Sequence, residues 1–215
     1  MKILNLYAGI GGNRKLWGGE HQVTAIELDT KVAAVYQDLF PHDTVVVGDA
    51  HEYLLKHYKE FDIIWASPPC PTHSDIRRCG VHAGQYEALY PDMTLYQEII
   101  FLQNFALKST KWVIENVKPY YTPLIRPDAE MHRHLFWSNA RISKIDLIDD
   151  RKHQKIVGSS EVYGFSLENY DVSDKRKALR NMVNPDLAKY IMDCLLEVDL
   201  LKDGQQGRLF HEVVA

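Results

Sequence analysis

Two side chains in this sequence are spaced for covalent chemistry. Cys70 lies in Ser67-Pro68-Pro69-Cys70-Pro71, directly after the apolar run Asp62-Ile63-Ile64-Trp65-Ala66. A cysteine held by prolines at the carboxyl end of a buried strand is aimed into the crevice where open α/β sheets bind ligands. A thiol fixed in this way keeps the orientation advantage that a mobile nucleophile loses. Glu115 follows a second run, Lys111-Trp112-Val113-Ile114, and leads into Asn116-Val117. A thiol and a carboxyl group at two strand ends can meet in one pocket. Cys79 and Cys194 lack such a setting and are expected to be inert. No His/Cys spacing suits zinc, so no metal is expected.

The elements that must hold these groups alternate along the chain. Ile3 to Tyr7 reads as a strand and runs into the glycine turn Ala8-Gly9-Ile10-Gly11-Gly12. Val23 to Leu28, Thr44 to Val47, Asp62 to Ala66 and Trp112 to Glu115 supply four more strands. Helices are expected over Thr30 to Phe40 and from about Met93 to Leu107, each with an apolar stripe at helical spacing. His134 to Trp137 and Ile142 to Ile148 are strand-like and expected to be antiparallel. Alternation of this kind predicts an α/β fold with a doubly wound sheet and helices on both faces. Pro71 to Asp92 and Asp149 to Leu179 read as segments without regular order. Arg180 to Pro185 opens a closing helix with Pro185 in its first turn, and the tail from Lys202 is expected to fray.

The turn after the first strand points to a nucleotide-type ligand. Gly9, Gly11 and Gly12 allow close approach of the backbone. Glu27 ends the second strand, suited to ribose hydroxyls, and Asp49 ends the third, suited to an adenine amino group. A nicotinamide dinucleotide shares the first two features, although its usual pattern needs glycine where Arg14 stands. Each acidic residue taken singly could equally cap a helix or turn.

Composition sets the outer bounds. The 215 residues suit one domain with a full core, and the hydrophobic fraction of 46% argues against disorder. No apolar run is long enough to cross a membrane, and Met1 to Leu6 reads as a strand rather than a signal peptide. Three scattered cysteines make no disulfide framework, so a cytoplasmic setting is expected. Net charge is −4, yet Arg126 to Arg180 carries 11 Lys/Arg against 9 Asp/Glu. Local basic clusters such as Arg77-Arg78 and Lys175-Arg176-Lys177 could meet a polyanion or simply be solvated.

In this order the motifs resemble the DNA cytosine-C5 methyltransferase family. The matching residues are Asn5-Leu6-Tyr7-Ala8-Gly9-Ile10-Gly11-Gly12, Ile26-Glu27-Leu28-Asp29, Gly48-Asp49, Ser67-Pro68-Pro69-Cys70, Glu115-Asn116-Val117 and Arg180 to Pro185. Val162-Tyr163-Gly164-Phe165 resembles a worn copy of a late family motif, and the compact layout resembles phage-borne members, some of which serve restriction-modification. The resemblance implies a Rossmann-like class I fold, with a mostly parallel seven-stranded sheet. It implies S-adenosyl-L-methionine as donor, leaving S-adenosyl-L-homocysteine. Cofactor residues would be Tyr7, in place of the usual Phe, with Ala8, Gly9, Gly11, Gly12, Glu27, Leu28, Asp49, Ala50, Pro68 and Asn184. Catalysis would fall to Cys70, Glu115 and Arg133. Contacts to the double-stranded DNA substrate would come from Pro69, Pro71, His73, Ser74, Arg77, Arg78, Asn116 and Val117.

The implied organisation is a catalytic domain over 1–139, a short target-recognition-like insert over 140–179, a closing helix over 180–200 and a tail over 201–215. Family members usually carry a much larger recognition region, so a short target is expected. Whether two chains form a dimer to supply the missing surface is left open. Departures from the pattern are Pro71-Thr72, where the family continues into Gln, and His132-Arg133-His134, where it carries an arginine-rich motif. The rival readings are an RNA (tRNA) cytosine-C5 methyltransferase, an inactive cofactor-binding module, and a nicotinamide-dependent enzyme.

Overall fold

Strands buried on both faces read as continuous apolar runs, because neither face needs a polar side chain. β1 (Lys2–Leu6), β2 (Gln22–Glu27), β4 (Ile63–Ala66) and β5 (Lys111–Val117) are mostly buried, β4 throughout, whereas β3 (Thr44–Val47), at the sheet edge, is partly exposed. They pair in parallel in the order β3-β2-β1-β4-β5. β7 (His134–Ser138) adds antiparallel to β5, and β6 (Ala129–Met131) adds antiparallel to β7. The computed structural model describes residues 1–143 and 161–197. Its mostly parallel seven-stranded sheet is the Rossmann-like arrangement expected. Strand order reverses between β1 and β4, and the crevice outside the carboxyl ends at such a point is where open sheets bind ligands.

Helices cover both faces. On one face, Leu54 of α2 (Ala50–His57) and Leu95, Ile99 and Leu102 of α4 (Thr94–Phe105) pack on Leu4, Leu6, Ile64 and Ile114. On the other, Leu187, Ile191 and Leu195 of α6 (Pro185–Leu195) pack on Ile3, Val23, Ile63 and Trp65. Each such side chain contributes roughly 1.5–3 kcal/mol on burial. That row therefore holds α6 against the sheet. Val35 of α1 (Thr30–Leu39) meets Phe165 and Leu167 around a small hairpin, β8 (Glu161–Val162) and β9 (Phe165–Ser166). Its turn, Tyr163-Gly164, holds φ of 53° and 70°, as a two-residue type I′ hairpin requires.

Arg14 occupies a single 3-10 turn, Arg14–Leu16, and is buried. Its Nε lies 2.8 Å from Asp43 Oδ2, its Nη2 lies 3.1 Å from Oδ1, and Tyr36 donates to the same carboxylate. The position where a dinucleotide fold needs glycine is filled by a buried, fully engaged ion pair.

Three expectations need correction. Pro71 to Asp92 is not without order: α3 (Asp75–His82) forms inside it, capped by Ser74 through the N–H of Arg77. β7 is antiparallel to both β5 and β6, the latter across the two-residue turn His132-Arg133, where His132 has φ of 53°, and the strand expected over Ile142 to Ile148 is not seen at its start. Ile142 and Ser143 carry no strand, and the remainder of that run lies outside the described residues. The disorder expected for Asp149 to Leu179 is also partly replaced, by the hairpin and by α5 (Lys175–Arg180).

Candidate active site

β4 and β5 are neighbours in register, Ala66 opposite Ile114, so the segments leaving their carboxyl ends emerge side by side. Cys70 follows β4 and is partly buried; Glu115 lies on β5 and is buried. Burial pushes the Cys70 thiol above its ordinary value, and the Glu115 carboxylate pushes it further, while Arg133 and Lys177 pull it down. These four groups share one electrostatic neighbourhood. The turn at Cys70 is pinned from both sides. Its carbonyl accepts from the N–H groups of His73 and Ser74 at 3.0 and 3.2 Å. Asn116 donates from Nδ2 to the carbonyl of Pro68 at 3.0 Å and accepts from the N–H of Val117. Asn116 thus braces the two strand ends.

Glu115 is itself held. His134 Nδ1 lies 2.6 Å from Glu115 Oε1, and Arg133 Nε donates to His134 Nε2 at 3.2 Å. Because Nε2 must accept, the imidazole proton sits on Nδ1 and is donated to the carboxylate. Arg133 also donates to the carbonyl of Arg180 at 3.3 Å, joining the β6–β7 turn to the end of α5. His134 is the residue the sequence reading missed; its one signal was a histidine inside an arginine motif.

The cofactor side is arranged around the glycine turn. A Cβ built on Gly9, with φ of 56°, would meet nothing within 4 Å, and the same is true of Gly48. The backbone at Gly9 thus faces open space that a ligand can enter. Gly11 and Gly12 need glycine for another reason: a Cβ would lie 2.2 Å from Phe40 at Gly11 and 2.7 Å from Met182 at Gly12. Glu27 accepts from the N–H of Gly9 and of Asp29, both at 2.9 Å, so it sets the turn while each oxygen keeps a lone pair. Leu28 beside it is 70% exposed. Asp49 caps α2 through the N–H of Glu52, and Ala50 is buried in that helix's first turn. Ala8 is buried and Pro68 is buried. Asn184 caps α6 through the N–H groups of Asp186 and Leu187. Open glycine backbone, two strand-end carboxylates and an exposed leucine fit an adenosyl group.

On the substrate side, Pro69 and Pro71 are exposed beside Cys70. His73, expected near substrate or solvent, is fully buried; its Nδ1 lies 2.5 Å from the Tyr121 hydroxyl. Burial pushes it below the ordinary histidine value. Its role is to anchor the start of α3, with its carbonyl accepting from the N–H of Tyr120. Arg77 folds onto the Tyr86 ring and the Glu87 carbonyl, whereas Arg78 is exposed over the Tyr120 ring. Val117 is half-buried at the end of β5. Lys177 is a second residue missed, having read only as part of a solvated basic cluster.

Comparison with curated proteins gives no match. Among solved structures, the chain is similar to a conserved hypothetical protein from Streptococcus pyogenes, with 16% identity over 64% of this chain and 85% of that one, at a TM-score of 0.39. It is also similar to an S-adenosylmethionine-dependent methyltransferase from Agrobacterium tumefaciens, with 14% identity over 57% and 40%, at 0.41. A third is a DNMT2 mutant from Spodoptera frugiperda, with 25% identity over 54% and 35%, at 0.38. The chain therefore spans less than half the length of the last two, and likenesses of this degree carry no argument about function. The family evidence comes from sequence. The profile described as C-5 cytosine-specific DNA methylase matches residues 1–123, a stretch that holds the glycine turn, Glu27, Asp49, Cys70 and Glu115. With more than half of the chain matched, the protein belongs to the C-5 cytosine-specific DNA methylase family.

Proposed function

We propose that this protein transfers a methyl group from S-adenosyl-L-methionine to C5 of cytosine in double-stranded DNA, at a short sequence, through a covalent Cys70 adduct. The observation that carries the reading is the placement of Cys70 and Glu115 at adjoining strand ends beside the switch point, with the carboxylate felt at the thiol. The donor supplies an electrophilic methyl group. Gly9, Glu27, Leu28 and Asp49 would hold its adenosyl part.

The protein's own groups account for activation of the base. C5 and C6 are covered in a stacked duplex, so the cytosine must be turned out into the pocket. Cys70, as thiolate, forms a bond to C6, and the electron pair of the C5–C6 double bond moves onto the ring. Glu115, engaged through Oε1 by His134, presents its other oxygen to N3 and holds a proton there, so that the ring does not carry the full negative charge. C5 then takes the methyl group, a base removes the C5 proton, and the sulfur–C6 bond breaks to restore the double bond and the thiolate. Arg133 stands beside the nucleophile and the relay, and serves cytosine O2 or a neighbouring phosphate. Exposed Arg78, with Lys177, supplies positive charge for the phosphate backbone.

The test is nucleoside mass spectrometry of DNA and RNA from cells expressing the wild type or Cys70→Ala. The expected result is cysteine-dependent 5-methylcytosine in DNA, with S-adenosylmethionine binding retained in the variant. Signal confined to RNA would transfer the reading to a tRNA-type substrate. Loss of cofactor binding in Cys70→Ala would remove the role assigned to the thiol.

A further inference from the structure

We infer that Glu98 is a positioning residue of the cofactor pocket, a latch that joins Tyr7 to His51 and fixes the tyrosine ring as a wall for the adenine. The inference rests on the proposed use of S-adenosylmethionine and concerns residues outside the thiol chemistry. Glu98 sits on α4 with 0% exposure. Its Oε1 accepts from the Tyr7 hydroxyl at 2.5 Å and lies 3.1 Å from His51 Nδ1. Three separate segments therefore converge on one oxygen: the start of the glycine turn, the first turn of α2 just past Asp49, and the interior of α4.

Physical chemistry makes this cluster hard to explain as packing alone. A buried carboxyl group in an apolar row is costly unless it is satisfied, and Glu98 stands in the same helical stripe as Leu95, Ile99 and Leu102. Its Oε2 is buried without a hydrogen-bond partner. Burial pushes its carboxyl group above the ordinary range. In the protonated form Oε1 is a carbonyl oxygen with two lone pairs, able to accept from Tyr7 and from His51 together. Tyr7 is the matching donor, since burial holds its hydroxyl proton in place, far above the ordinary value. Tyr7 also has φ of 57°, a left-handed conformation that is strained for a bulky non-glycine residue and persists only where the surroundings over-determine it. The hydroxyl bond to Glu98 is such a determinant. Glutamine reproduces the carbonyl that accepts both bonds, whereas leucine removes it.

The experiment measures S-adenosylmethionine and S-adenosylhomocysteine binding by calorimetry on the full chain, with steady-state kinetics alongside. Glu98→Leu and Tyr7→Phe should each weaken cofactor binding by about tenfold, the worth of one buried hydrogen bond to a fixed partner. The double variant should lose no more than either single one, and Glu98→Gln should keep affinity within about threefold of wild type. The losses should fall on the KM for the cofactor, with kcat at saturating cofactor changed by less than about threefold. Additive losses, a Gln variant as weak as Leu, or a loss in kcat alone would each overturn the latch. If Glu98→Leu does not fold, Tyr7→Phe with His51→Ala carries the same cycle. A wild type that binds neither compound would overturn the cofactor reading itself, which is a different failure from a wild type that binds and variants that match it.

Discussion

A thiol raised by burial is a weak nucleophile until it loses its proton, and Cys70 is in that condition. The thiolate fraction therefore grows as pH rises through a value above that of a free cysteine, about 8.5. Alkylation of Cys70 by iodoacetamide, followed by peptide mass spectrometry, should accelerate with pH beyond that point; an inflection at or below it would contradict the burial argument. His134 acts one bond further away. Its removal leaves Glu115 free to turn and strips a hydrogen bond from a charged acceptor, worth about 1.5–3 kcal/mol. His134→Ala should slow single-turnover methyl transfer roughly 10- to 100-fold and leave cofactor affinity unchanged. An unaltered rate would show that the Glu115 geometry is set elsewhere. Neither His134 nor Glu98 announces itself in sequence, because each matters through a contact across the fold. Cys70 and Glu115 did, because each is tied to a strand end by its own neighbours.

Strand ends are where the chain commits itself, and Asn116 shows how. It ties the Pro68 carbonyl to β5, so Asn116→Ala leaves a buried carbonyl without its donor. The expected cost is about 1–3 kcal/mol of stability, read by denaturant unfolding, together with a lower rate because the cysteine turn loosens. A variant as stable as wild type would mean that the prolines suffice. The parallel strands β1 to β5 could be read directly, since each holds a short, largely apolar or β-branched run, Ile63-Ile64-Trp65-Ala66 most plainly. β6 could not, being three residues with a glutamate at the centre. α3 was hidden for a different reason: Asp75-Ile76-Arg77-Arg78 and the glycine at position 80 give no apolar stripe, and the helix is held by the Ser74 cap and by buried His73.

On the proposed function, the assembled protein would devote little chain to reading sequence. Only the 40 residues from Ala140 to Leu179 lie between the exit of β7 and the end of α5, and among the described ones are a hairpin, a loop and most of that short helix, packed on α1. A reading surface of that size covers about two to four base pairs, the span of one small module. Base-resolution mapping of methylated sites should return a motif of that length; a long, strictly required site would show that recognition is supplied from elsewhere. Net charge adds to the expectation. At −4 overall, only local clusters can neutralise phosphates, so affinity for DNA should fall steeply between low and physiological salt.

Gly12 has no room for a side chain because Met182 and Val183 lie against it. The glycine turn, early in the chain, therefore waits for nearly the last described residues before its neighbours are complete. β1, flanked by β2 and β4, cannot settle early either. Such long-range closure makes folding slow, and it makes the synthesis of this protein an all-or-nothing event. A nascent chain cut short before Met182 would carry Cys70, Glu115 and His134 and still lack the back wall of the glycine turn.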